Sequence, residues 1–334
     1  MAPAFSWLRP EPHGLYIAPA DAWIDPSRPV DRALVTHGHA DHARGGHGRT
    51  VATPATLAIM ALRYGTAEGA HPVEYGETLS LPGGVRATFV PAGHVLGSAQ
   101  ILLEHAGERV VVTGDYKRRP DPTCAPFEPV ACDLFITEAT FGLPVFRHPP
   151  IGAEIARLLA ARARHPGRCV LVGAYALGKA QRVIAELRRA GHAGPVYLHG
   201  AMERMCALYA EWGIDLGALQ PVAGVPRAAL EGQIVVCPPA ALNDRWSRRL
   251  PDPLTAMASG WMRVRQRARQ RNVELPLVIS DHADWDELTA TIAEVNPGET
   301  WITHGREDAL LHWCGVTQRK ARALALVGYE DEDD

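Results

Sequence analysis

The hexapeptide His37-Gly38-His39-Ala40-Asp41-His42 constrains this chain more than any other feature. It follows directly on residues 32–36, a short run that reads as a β-strand. Four metal-ligand side chains among six positions, at the end of a strand and the start of a turn, are a ligand-bearing loop. Imidazole suits zinc, and carboxylate tolerates zinc or manganese. His37 and His39 point one way, whereas Asp41 and His42 begin the next turn and point elsewhere, so one loop can serve two adjacent ions. Gly38 and Ala40 are small enough to let the ions approach the backbone.

Two ions need more ligands, and the chain supplies them at strand ends. His94 follows the strand expected at 85–90, and Asp115 follows the one at 109–113. His282 follows 277–280, and His304 closes 300–303. Sheet-based sites assemble on such C-terminal loops. Further strands are expected at 99–104 and 134–137. A helix is expected at 53–64, with Thr53 as its cap and Pro54 in its first position.

Composition narrows the class. The 334 residues are 47% hydrophobic and 21% charged, as in a globular protein with a sizeable core. No apolar run is long enough for a membrane span, and residues 1–12 carry no secretory signal core. Six cysteines without a CxxC pair fit neither a disulfide framework nor a thiolate zinc site, so a cytoplasmic location is expected. The formal charge of −3 does not advertise nucleic acid, so any such partner must be held by a local patch. Residues 330–334 form an acidic end, read as solvated.

From residue 142 the texture changes. Helices at 152–163, 178–190 and 202–211 alternate with strands at 170–173, 195–198 and 234–237, a parallel α/β pattern. Strand-then-histidine texture returns after Val278. The reading is one domain, 1–141 and 280–334, interrupted by a second at 142–279.

These residues resemble a known family. The hexapeptide with His94 and Asp115 is similar to the metallo-β-lactamase fold, an αββα sandwich with a dinuclear metal site. The run from Leu134 to Gly142 with Glu138, Ser280-Asp281-His282, and Thr303-His304-Gly305 resemble the additional motifs of β-CASP nucleases, which carry an inserted α/β domain. Taken end to end, with Ala283-Asp284-Trp285, Leu311-His312-Trp313-Cys314 and the acidic tail, the chain most resembles bacterial ligase-associated DNA exonucleases.

The resemblance implies that His37, His39 and His94 bind one divalent ion, and Asp41, His42 and His304 the other, with Asp115 bridging. Zinc is the expected metal and manganese the alternative. Asp25, in Trp23-Ile24-Asp25-Pro26, would orient a ligand histidine. Glu138 and His282 match a carboxylate–histidine pair near the scissile phosphate, and Asp41 is counted with them as catalytic. His47, His148 and His312 match no motif and are left as structural. A DNA substrate and association with a DNA ligase and a helicase are likewise implied.

The chemistry is coherent. Bound metal lowers the pKa of water to about 7, and His282 held by Glu138 can protonate a leaving sugar oxygen. Tyr175, Gly178 and Lys179 lie in a strand–loop–helix turn whose free N–H groups suit an anion, without the spacing of an ATP-binding loop. This turn resembles the terminal-phosphate pocket of DNA crosslink-repair nucleases and points to 5′-to-3′ digestion. Eight arginines lie between Leu242 and Asn272. Arg263, Arg265, Arg267, Arg269 and Arg271 occupy every second position, so as a strand they would share one face suited to a polyanion. As a helix they would spread around it. A ribonuclease of the same superfamily is the alternative reading; a small-molecule hydrolase would need neither the insert nor the arginines.

Overall fold

Short runs punctuated by turns lay down the first sheet in chain order: β1 (Leu8–Glu11), β2 (Gly14–Ile17), β3 (Ala22–Ile24), β4 (Arg32–Leu34), β5 (Arg49–Ala52) and β6 (Ala70–Pro72). The first two pairings are antiparallel and the next three parallel. The protein was analysed as a computed structural model, which describes residues 5–324 apart from Ala67 and Asn272. The acidic end at 330–334 lies outside the described residues.

A second sheet begins with β7 (Thr78–Ser80), β8 (Arg86–Pro91), β9 (Ala99–His105), β10 (Glu108–Val112) and β11 (Leu134–Ala139). The chain then builds another sheet from β12 (Val170–Gly173), β13 (Val196–Leu198), β14 (Leu219–Pro221), β15 (Ile234–Cys237), β16 (Leu254–Ala258) and β17 (Leu275–Leu277). It returns to add β18 (Glu299–Gly305) and β19 (Ala321–Ala323) to the second sheet, beside β11. Two compact units result. One holds the residues up to Arg147 and those from His282 onward; the other is His148–Asp281.

In the first unit the two sheets face each other. Leu15, Ile17, Ile24, Leu34 and Val51 from one pack against Phe89, Ile101, Leu103, Val110 and Ile136 from the other. Strand period explains the remaining layers. Ile101 and Leu103 point between the sheets, while Leu102, Val111 and Phe135 point out onto α6 (Trp285–Val295) and α7 (Glu307–Val316). On the other side Ala33, Val35 and Ala52 meet Met60 of α1 (Pro54–Tyr64). The unit is an αββα sandwich. Thr53 caps α1 through Oγ1, which accepts from Thr56 N at 3.2 Å, with Pro54 in the first turn.

The second unit is a fully parallel sheet in the order β14-β13-β15-β12-β16-β17, with α2 (Ile151–Arg164) ahead of its first strand and α3 (Lys179–Arg189) and α4 (Gly200–Glu211) in its crossovers. The strand expected at 277–280 is instead β17, which starts two residues earlier and ends three residues earlier. Its ladder stops at Leu277 because Val278 N donates to Glu154 Oε2 at 2.7 Å and Ile279 N turns back to Leu277 O.

The arginine-rich stretch also departs from expectation. Residues 263–271 are not extended: Gly260–Arg263 is a 3-10 turn and Arg265–Gln270 is the short helix α5. Ser259 Oγ caps the turn by accepting from Trp261 N at 3.2 Å. Arg, Gln and Ala all favour helix, and only Ala268 needs burial. Arg263, Arg265, Arg267, Arg269 and Arg271 therefore do not share one face. The Arg267 guanidinium folds back over the Trp261 ring, 3.9 Å from its centroid. Among the described residues, no helix is long and apolar enough to cross a membrane.

Candidate metal centre

The hexapeptide leaves β4 and its backbone turns sharply, with His42 N and Ala43 N both donating to His39 O. Gly38 is required by contact: a Cβ there would sit 2.6 Å from Ile59 Cγ2 on α1. Arg63 of the same helix donates to Gly38 O at 2.8 Å, pinning the loop.

Asp25 organises the histidines from beneath. It lies in the left-handed region at φ 45° and is buried. Its Oδ1 accepts from Thr36 N at 2.8 Å and its Oδ2 from Thr36 Oγ1 at 2.6 Å. The same Oδ2 is 2.7 Å from His42 Nδ1, which turns His42 Nε2 toward Asp41 and Asp115. Thr36 Oγ1, its proton committed to Asp25, accepts from His37 Nδ1 at 3.0 Å. His37 Nε2 is thus left as a lone pair facing inward. One carboxylate and one hydroxyl set two imidazoles. The sequence reading did not single out Thr36, although it stands directly before the histidine cluster.

His94 arrives on the loop after β8, and Asp115 after β10. His39 Nδ1 is 3.1 Å from His37 Nε2 and 2.9 Å from His94 Nε2, with Asp115 Oδ2 3.4 Å from His37 Nε2. Ring nitrogens crowded together in this way present more lone pairs than protons, and a cation satisfies them. His42, Asp115 and His304 form a second set that shares the Asp115 carboxylate; within each set the ligand atoms lie within 4.8 Å of one another. Asp41 stands at its edge, Oδ2 3.4 Å from His42 Nε2 with its side chain 20% exposed.

His304 reaches this set through a bulge. The β11–β18 register pairs Glu138 with Thr303 and Ala139 with Gly305, leaving His304 as an extra residue at φ 55°. A bulge re-aims a side chain, and here it brings His304 Nδ1 to 3.5 Å from Asp115 Oδ1.

His282 and Glu138 stand beside the donor sets. His282 Nδ1 is 3.0 Å from Glu138 Oε2, and Tyr116 N donates to Glu138 Oε1 at 2.8 Å. The His282 ring is 4.7 Å from that of His94. The carboxylate fixes the proton on Nδ1. Electrostatics match a cation site. Burial opposes charge on Asp115, but His42, His282 and His304 outweigh it and hold its carboxyl well below the usual range. Burial also disfavours the His42 cation, yet Asp41, Asp115 and Asp25 lift it to about 10 in the metal-free protein. Burial and the neighbouring His42 push His37 well down, keeping it neutral.

Residues 16–173 match the metallo-beta-lactamase superfamily. This chain carries a metallo-beta-lactamase superfamily domain. The superfamily uses divalent metals, and the His/Asp cluster is a donor set of that kind. The chain is 33% identical over 298 residues to a protein of Opitutus terrae described as "Probable DNA ligase", covering 88% of this chain and 28% of that one. It is 31% identical over 222 residues to a ribonuclease of Thermus thermophilus, covering 56% of this chain and 50% of that one. The chain therefore spans about half or less of the length of these relatives. A crystal structure of a protein of unknown function from Enterococcus faecalis superposes with a TM-score of 0.59, covering 89% and 80% of the two chains at 14% identity. That likeness speaks to fold alone.

The remaining expected residues lie in the second unit. Gly178, at φ 83°, caps α3 and Lys179 is its first residue. Lys179 is not a solvated side chain: it is 4% exposed, with Nζ 4.8 Å from the Tyr175 ring centroid and 3.8 Å from Asp281 Oδ2. Arg263 and Arg265 are exposed on the short turn and helix already described.

Proposed function

We propose that this chain is a dinuclear-metal phosphodiesterase of β-CASP type that digests DNA from an end, with 142–279 as the inserted domain. The observation that carries the reading is the His282–Glu138 pair standing against a donor set of six His/Asp residues, with Asp41 at its edge. Small-molecule hydrolysis does not call for that pair. His37, His39 and His94 would hold one ion, and Asp41, His42 and His304 the other, with Asp115 between them. When bound, zinc or manganese supplies Lewis acidity that lowers the pKa of a water and offsets charge on a phosphodiester oxygen.

The chain's own residues do the rest. Asp25 and Thr36 keep His42 and His37 in the ligating tautomers. Glu138 holds the Nδ1 proton of His282, and a proton on His282 Nε2 passes to the leaving sugar oxygen. Burial around the site excludes bulk water. In the second unit the N–H groups expected to be free are committed, Gly178 N to Gln181 Oε1 and Lys179 N and Ala180 N to Leu177 O and Tyr175 O. The assignment of Tyr175, Gly178 and Lys179 to a terminal 5′-phosphate, and with it 5′-to-3′ polarity, therefore rests on the Lys179 charge alone. The exposed arginines of 245–271 serve the phosphodiester backbone.

DNA is favoured because the Opitutus relative matches 88% of this chain and is described as a DNA ligase. A match confined to 28% of that longer chain also supports association with a ligase. A helicase partner and a cytoplasmic location complete the proposal. The Thermus ribonuclease favours RNA as the second reading. End-labelled single- and double-stranded DNA and RNA, with 5′-phosphate or 5′-hydroxyl ends and zinc or manganese, decide it. DNA cut stepwise from phosphorylated ends supports the proposal. RNA cut faster than DNA, or closed circular single strands cut as fast as linear ones, overturns it.

A further inference from the structure

Lysine is rare in this chain, occurring at Lys117, Lys179 and Lys320 alone. Lys117, two residues beyond Asp115, is 1% exposed. Its Nζ is 2.6 Å from Asp121 Oδ2 and donates to the backbone carbonyl of His94 at 3.3 Å. Asp121 is itself set in place, its Oδ1 accepting from Thr123 N at 2.8 Å and Thr123 Oγ1 at 2.6 Å. A buried ion pair is weak evidence for stability, since desolvating two charges cancels much of their attraction. Its direction is what carries information: the ammonium is aimed at the one carbonyl whose residue carries a ring into the donor set.

The His94 loop needs such a hold. It is irregular from Ala92 to Ser98, closed by Ser98 Oγ accepting from His94 N at 3.1 Å and Val95 N at 3.2 Å. The segment after Asp115 lies flat on it. Lys117 N donates to Ala92 O at 3.2 Å, and Cys124 Sγ reaches Gly93 O at 3.3 Å. A Cβ on Gly93, at φ 74°, would stand 2.2 Å from Lys117 O, so this approach requires glycine. Asp115 and His94 are thereby mounted on two segments clipped together, with the Lys117 side chain reaching His94 itself.

We propose that Lys117, neutralised by Asp121, is the positioning residue of the His94 limb of the metal centre. It fixes the His94 carbonyl and so the ring, and it governs retention of the ion at His37, His39 and His94. The proposal rests on reading His94 as a ligand.

The test uses full-length protein loaded with zinc, challenged with a chelator, and followed by release rate and residual stoichiometry. Lys117→Met with Asp121→Leu removes both charges, leaving neither unpaired; the companion Asp121→Asn keeps the Lys117 donation to His94 O but strips its counter-charge. Both are compared with His94→Ala and with chelator-treated protein melted in parallel. The double variant should melt within a few degrees of wild type when metal-free, yet release one of two ions ~10–100-fold faster, the usual effect of removing a residue that orients a ligand. Asp121→Asn should fall between it and wild type. His94→Ala should lose that ion outright. If His94→Ala loses an ion while the paired variants release zinc at the wild-type rate, the positioning role is wrong and the ligand reading stands. If His94→Ala keeps both ions, the ligand reading itself is wrong. If the double variant does not fold, wild-type release from Asp121→Asn overturns the proposal.

Discussion

The histidine loop at 37–42 and the arginine stretch at 263–271 are both dense in one residue type, yet the histidines are buried and most of the arginines are exposed. Around the loop, three imidazoles have their outer nitrogen committed: His42 Nδ1 to Asp25, His37 Nδ1 to Thr36, His282 Nδ1 to Glu138. In the arginine stretch, Arg263, Arg265, Arg269 and Arg271 are exposed, and Arg267 rests on the Trp261 ring. Buried polar groups must be satisfied, so their neighbours are determined. Exposed cations carry no such demand, and they tolerate any backbone that keeps them wet.

The contrast can be broken or sharpened by substitution. Asp115→Ala should have the largest effect, since both donor sets share its carboxylate. Activity should disappear, and elemental analysis should find well under two ions per chain. Two ions retained in this variant would show that the sets do not depend on Asp115.

His282→Ala should slow turnover ~10²–10⁴-fold, the usual contribution of a positioned general acid, while metal content stays close to wild type. Single-turnover rates measured beside metal content test this. Loss of an ion would make His282 a ligand.

Asp25→Asn should be milder, weakening metal retention ~10–100-fold, because an amide oxygen can still accept from Thr36 but orients His42 less firmly. A chelator titration reads it, and an unchanged titration would break the claim that Asp25 sets the imidazoles.

The smallest effect belongs to the arginines. Arg265→Ala with Arg269→Ala should raise KM for a long nucleic acid and lower the slope of log affinity against log salt by ~1–2, leaving kcat alone. A slope unchanged within error would mean that α5 does not touch phosphate.

Legibility followed the same division. The strands expected at 170–173 and 234–237 coincide with β12 and β15, because fully apolar runs of that length between turns have few alternatives. The α1 start was readable because Thr53-Pro54 acts locally through one cap. The end of β17 was not readable, since it depends on Glu154, more than a hundred positions away in sequence, accepting from Val278 N. The arginine alternation was compatible with strand or helix, and Ser259, Trp261 and the lone buried Ala268 chose helix.

By itself the sequence supplied the donor chemistry: six positions after one strand, with His94, Asp115 and His304 each following another, present a candidate metal-ligand set whatever the exact packing. Ligand identity is a local property of side chains. Which atoms meet was left to tertiary structure. The bulge that turns His304 inward, the Asp25–Thr36 relay that selects tautomers, and the buried Lys117 beneath His94 all join residues from separate segments. Their energies come from satisfying polar groups taken out of water, and that demand arises only once the two sheets have closed over them.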